Sequence, residues 1–260
     1  MLLENKNAII YGAGGGVGTA VAQAFAREGA RLFLAGRTLS RLDAVAREVS
    51  DARGFVKTSK VDAMNERSVE RHVDAVVKEA GRIDILFNAI GMEDIQGIPL
   101  LEMEAEDFMR PVIKAARTQF LTARVVARQM VRQRSGVIMT ITAGPAREAT
   151  TGIGGFGVAC EAVEGLWRNL AAELGAENVR LICVRSAGSP DTAGLQEILG
   201  MRPGSGGDAL EPPLGLGART LLGRLPMVDE VANVVAFLAS DRAGAMTGTY
   251  VNVTCGSRVD

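Results

Sequence analysis

Apolar positions along the chain alternate between two spacings. Short β-rich runs read as strands: "NAIIYG" (7–12), "RLFLAG" (31–36), "GFVKTSKVD" (54–62), "IDILFNAIG" (83–91), "GVIMTITAG" (136–144), "VRLICVRS" (179–186) and "TYVNVT" (249–254). Between them the apolar residues move to helical spacing. Val17, Val21, Ala24 and Phe25 share one face of 17–28, and Val69, Val73, Val76 and Val77 share one face of 66–79. A longer stripe, with Val112, Ala115, Phe120, Ala123, Val126 and Met130, predicts a helix over 111–132 with Pro111 in its first turn. Ala159, Val163, Leu166 and Leu170 predict another over 156–174. Strands alternating with crossover helices predict an α/β fold, a doubly wound parallel sheet of about seven strands with helices on both faces.

The rhythm breaks over 193–224, where "MRPGSGGDALEPPLGLG" concentrates Gly and Pro without period. This span reads as a lid, and its Leu195, Ile198, Leu199, Met201, Leu214 and Leu216 suit a small hydrophobic substrate. A chain of 260 residues, 47% hydrophobic, can bury one sizeable core, which predicts one domain over 1–260. Its formal net charge of −1 supplies no basic field, so nucleic acid is not an expected partner. No window approaches 18 uninterrupted apolar residues, and the first apolar run starts too early to leave room for a leader, so neither a membrane span nor a targeting segment is expected. Cys160, Cys183 and Cys255 are odd in number and form no CxxC pair, which suits a reducing cytoplasm, and no metal-ligand spacing is present.

"YGAGGGVG" (11–18) lies between the first strand and the first helix. Glycines there let backbone N–H groups and a helix N-terminus meet a pyrophosphate, which a Cβ would obstruct. The expected cofactor contacts in this loop are Gly12, Gly14, Gly15, Gly16, Val17 and Gly18. The second strand ends in Ala35, Gly36 and Arg37, where an acidic residue would accept hydrogen bonds from the ribose of NAD(H). A guanidinium suits a 2′-phosphate instead, so NADP(H) is expected over NAD(H), although Gly15 offers no second cation.

With these motifs the chain resembles the short-chain dehydrogenase/reductase family over nearly its whole length, and the resemblance implies a single-domain Rossmann-type fold. "YGAGGGVG" is similar to the family's TGxxxGxG loop, and "LFNAIG" to its LVNNAG strand. The resemblance implies cofactor contacts at Asp62, Ala63, Asn88, Ala89 and Gly91, and at Thr192 beside the carboxamide. It also implies a Tyr that transfers the proton, a Lys four residues later, a Ser thirteen residues before the Tyr, and an Asn on the preceding long helix. Those positions hold Phe156, Cys160, Ala143 and Ala115, and the family's Pro-Gly after the sixth strand becomes Ser186 and Ala187. Such a chain is expected to bind the cofactor without the usual carbonyl reduction.

Substitute chemistry has few candidates. Cys160 near a helix start could act as a thiolate but reads better as a small buried residue filling the lysine's space, and Thr142 could stand in for the serine, although strand alternation turns it to the face opposite Ala143. Arg147 and Glu148 follow the fifth strand, where loops line the crevice, and read either as substrate-site groups that bind a carboxylate or act as an acid, or as solvated charges. His72 reads as a boundary residue of its helix. Family oligomers imply a homo-tetramer or dimer built on helices 111–132 and 156–174, with Trp167 and Leu170 either contacts there or core residues, or a hetero-oligomer with an active relative. A non-redox isomerase or lyase and a reducer of C=C bonds remain the enzymatic alternatives.

Overall fold

Each apolar run becomes a parallel strand. In a computed structural model that describes residues 1–51, 54–147, 149–198, 217 and 220–259, the strands are β1 (Asn7–Tyr11), β2 (Arg31–Gly36), β3 (Val56–Lys60), β4 (Ile85–Asn88), β5 (Gly136–Ala143), β6 (Val179–Ser186) and β7 (Thr249–Val253). They form one sheet in the order β3-β2-β1-β4-β5-β6-β7. Ala8 pairs with Leu32 of β2 on one side and Ile85 of β4 on the other, so the order reverses at β1. The carboxyl ends of β1 and β4 therefore diverge into a crevice, the usual place for a ligand in such sheets.

Both faces are covered, which is why the central strands carry no polar alternation. On one face α1 (Gly16–Arg27), α2 (Leu39–Asp51) and α7 (Val228–Ala239) pack against Ala8, Ile10, Leu32, Leu34, Met139 and Val184. On the other, α3 (Glu66–Ala80), α4 (Ala105–Gln133) and α5 (Phe156–Leu174) pack against Ile9, Phe33, Leu86, Ile138 and Leu181. Trp167 is buried in this second cluster, which makes it core rather than an exposed oligomer contact.

Two elements differ from the sequence reading. Helix α2 was not expected, yet Leu42, Val45 and Val49 recur at three- and four-residue intervals and are all buried. Helix α4 begins at Ala105, six residues before Pro111, which lies inside it with its ring buried. The true start is marked by Glu106 and Asp107, carboxylates that favour a helix N-terminus. Proline's fixed φ is helical, so it costs the helix one backbone donor without forcing its end. The span 193–224, expected to form a lid, starts with α6 (Ala193–Ile198), while 199–216 and 218–219, with Leu199, Met201, Leu214 and Leu216, lie outside the described residues.

His72 is buried rather than at a boundary. It lies beneath β1, where the Tyr11 hydroxyl is 2.9 Å from Nδ1 and the rings meet edge-on with centroids 5.4 Å apart. Burial raises the pKa of Tyr11 above the usual phenol range and lowers that of His72 to about 4. The unfolded chain, with its histidine near 6.5, takes up the proton first as pH falls. The stability this confers is complete above pH 6.5, declines between 6.5 and 4, and stays lost below that. Urea titrations of the wild type should lose about 3 kcal/mol more across this window than those of His72→Gln. Parallel slopes would assign the acid sensitivity to the carboxylates alone.

Candidate functional site

The crevice between β1 and β4 opens into a cavity of about 310 Å³ whose floor is the loop joining β1 to α1. Its backbone leaves no room for side chains. Gly12 has a left-handed φ of +77°, and a Cβ there would stand 2.4 Å from the carbonyl oxygen of Ala89 at the end of β4. A Cβ on Gly18 would stand 2.3 Å from the carbonyl oxygen of Gly12. Gly15 is different, because a Cβ there meets only that same oxygen, at 3.4 Å. Gly15 is also the N-cap of α1, whose first turn has no side-chain cap and no acidic residue. The helix thus presents its N-terminal N–H groups and dipole to the cavity, as an anion site requires.

The structure brings the expected cofactor residues together. Gly12, Gly14, Gly15, Arg37, Asp62, Ala63, Ala89 and Gly91 line the cavity, and Gly16, Val17 and Gly18 form the first turn of α1 beside it. Asn88 closes β4 as a buried support: its Nδ2 donates to Thr122 Oγ1 at 2.8 Å and its Oδ1 accepts from the Ile90 N–H at 3.1 Å. Thr192 lies on the far side of the loop, where a Cβ on Gly16 would come within 3.0 Å of it.

Sequence reasoning missed three charged residues in the same lining: Arg41, Glu93 and Lys114. Arg41 could have been found from its spacing, since it follows Arg37 by four residues. Glu93 and Lys114 carry no such signal, because tertiary packing alone places them together. One oxygen of Glu93 lies 2.5 Å from Arg37 Nη2 and 2.5 Å from Lys114 Nζ. The hydrogen bond from Lys114, then that from Arg37, holds the Glu93 carboxyl below its ordinary pKa. Burial pulls Lys114 below the ordinary amine range, against the pull of Glu93.

Ala115 and Cys160 are buried in the apolar cluster under α4 and α5, and Ala143 and Phe156 pack half-buried against it. Cys160 is fully buried, and burial pushes its thiol up to about 12. It is therefore a protonated packing group, in keeping with the reading of Cys160 as a small buried residue rather than a thiolate.

The neighbouring polar candidates are engaged with one another rather than lining the cavity. Thr142 faces α5 alongside Ile138: its hydroxyl is 3.1 Å from Glu164 Oε1 and 3.2 Å from Cys183 Sγ. Alternation holds for Thr142, and it is Ala143, where the strand enters the turn Gly144–Ala146, that departs from it and packs on the same side. Glu164 is wholly buried, with Arg185 donating to its two oxygens at 2.6 and 2.7 Å. Arg147 reaches the same group, its Nε 3.2 Å from Glu161 and 3.5 Å from Glu164, so its charge is directed at α5. Glu148 lies outside the described residues. Among the described residues no cluster of His, Cys, Asp or Glu could hold a metal, and no helix is long and apolar enough to cross a membrane.

Comparison with known proteins matches residues 12–258 to the family described as Enoyl-(Acyl carrier protein) reductase. The 3-oxoacyl-(acyl-carrier-protein) reductase of Thermotoga maritima is 28% identical over 98% of this chain and 99% of its own length. Secoisolariciresinol dehydrogenase of Forsythia intermedia is 31% identical over 99% of this chain and 90% of its own length. Among solved structures, NAD+-bound xylitol dehydrogenase shares the fold with a TM-score of 0.90 at 23% identity, covering 98% of this chain and 100% of that one.

The thiols offer a direct check on the apolar cluster. Cys160 and Cys183 are buried, with burial pushing each thiol up to about 12, whereas Cys255 is half-buried. In native protein at pH 8, iodoacetamide followed by peptide mass analysis should label Cys255 first and leave the other two until denaturant is added. Rapid native labelling of Cys160 would contradict the packing described.

Proposed function

The chain belongs to the short-chain dehydrogenase/reductase family, and from that premise we propose that it binds NADP(H) in preference to NAD(H) without using an Asn-Ser-Tyr-Lys proton relay. The bound dinucleotide supplies or accepts a hydride in such proteins. This chain's residues supply the hold on it: the N–H groups at the start of α1 for the pyrophosphate, Asp62 and Ala63 beside the adenine, and Thr192 across the loop. Arg37 with Arg41 supports the phosphate preference, since two guanidiniums in one lining give a 2′-phosphate the second cation that the loop itself lacks.

The observation that supports the missing relay is that Ala115 and Cys160 are buried in one apolar cluster, with Ala143 and Phe156 half-buried against it. Phenylalanine keeps ring volume and offers no hydroxyl, and Cys160 fills the space a lysine stem would take without its charge. A positioned general acid contributes roughly 10²–10⁴ in rate, or about 3–5 kcal/mol of barrier. Any reduction by this protein would have to take its proton from water or substrate. A C=C bond, an isomerase or lyase step, or a non-catalytic subunit role is therefore favoured over carbonyl reduction.

We place the protein in the cytoplasm as a single dinucleotide-binding domain with a lid from 193 to 224. A homo-tetramer or dimer, or a hetero-oligomer with an active relative, is supported by Ile113 and Phe120 of α4 and Val158 of α5, large apolar side chains left exposed on neighbouring helices.

Gly15→Ala separates the ligand role of the loop from its structural role. Since the added Cβ meets protein only at ordinary contact distance, the melting temperature should stay within about 2 °C of wild type. Isothermal titration with NADP+ should show at least about a tenfold loss of affinity, the consequence of about 1.4 kcal/mol. Unchanged affinity, or no binding by the wild type, would make the loop a structural turn and overturn the reading.

A further inference from the structure

Glu93 is an expensive residue to place where it stands. Its φ of +60° puts a long side chain in the left-handed region that favours glycine and asparagine, so the surrounding structure must hold it there. The result is a carboxylate set among the cations of the cavity rim, with one oxygen shared by Arg37 and Lys114 and with Arg41 in the same lining. The two ion pairs are unequal. Arg37 is 66% exposed, whereas Lys114 is only 12% exposed on α4. An exposed pair is loosely held and screened, and a partly buried one is held more firmly.

We propose that Glu93 is an internal counter-anion that a 2′-phosphate must displace from Arg37, which makes it the residue that sets how strongly the cavity prefers a phosphorylated dinucleotide. This rests on the reading of the cavity as a dinucleotide site. The exchange is an ion-pair swap with no bond made or broken: the guanidinium leaves the carboxylate for the phosphate, and Lys114 retains Glu93. After the swap the carboxylate still lies beside the phosphate, so it opposes the phosphorylated ligand and leaves the unphosphorylated one unaffected. Discrimination is thereby set by a repulsive group as well as attractive ones.

The test is isothermal titration of wild type and Glu93→Gln with NADP+, NAD+ and adenosine 2′,5′-bisphosphate. Glu93→Asn serves as a second variant, because asparagine tolerates the same backbone. Neutral side chains at 93 should tighten NADP+ and the bisphosphate by about fivefold, the upper end for a partly exposed charge pair. NAD+ should stay within about twofold. In an Arg37→Ala background the tightening should shrink, since its cause is the competition for that guanidinium. Wild type that binds NADP+ with no selective change on either substitution at 93 overturns this assignment and leaves the cofactor reading standing. Wild type that binds none of the three overturns both.

Discussion

The contact on which the rest of the site depends is the approach of the β1–α1 turn to the end of β4. Gly12 lies so close to the carbonyl of Ala89, and Gly18 to the carbonyl of Gly12, that a single carbon at either position would displace backbone. That closeness sets α1 against the sheet and aims its uncapped N-terminus into the crevice. The crevice itself exists because the chain winds outward through β2 and β3 and then returns to pair β4 on the other side of β1. The tight glycine turn and the cavity are thus two results of one packing constraint.

A second polar system lies behind the first. Glu164 is buried with Arg185 on both of its oxygens, Thr142 on one, and Arg147 at 3.5 Å, while the Arg185 guanidinium lies 4.6 Å from the Tyr250 ring centroid. A pair so thoroughly desolvated gives little net stability, but removal of one partner leaves a buried charge. It ties α5 to β6 and β7 at the ends of the strands that flank Cys160. These polar groups are therefore engaged with one another, beside the apolar cluster that buries Ala115 and Cys160 and against which Ala143 and Phe156 pack half-buried.

The legible parts of the fold are those with strong periodicity. All seven strands fall on the expected runs: the central ones are apolar because they are buried on both faces, whereas the edge strands β3 and β7 are only partly buried and carry polar residues. Helices α1, α3 and α5 fall on their stripes within a residue or two. Helix α2 escaped because its apolar positions are few, and α4 started earlier because its first turn is charged and only its later turns reach the core. In the site, the glycines and Arg37 were legible since one short segment carries them. Arg41 was legible in principle at its four-residue spacing. Thr142 shows the limit of alternation, which is reliable inside β5 and fails at Ala143 where the strand ends.

The sequence by itself determined the α/β class, the glycine loop, and the apolar side chains at 115, 143, 156 and 160, because each is a local property of spacing or residue type. Only the tertiary structure decided that Glu93 joins Arg37 and Lys114, that Glu164 joins Arg185, and that Tyr11 meets His72. Each of those contacts joins residues far apart in the chain, and their partners are chosen by which strands the sheet places side by side. Charge and hydrogen bonding act through distance, and distance between remote residues is created by the fold.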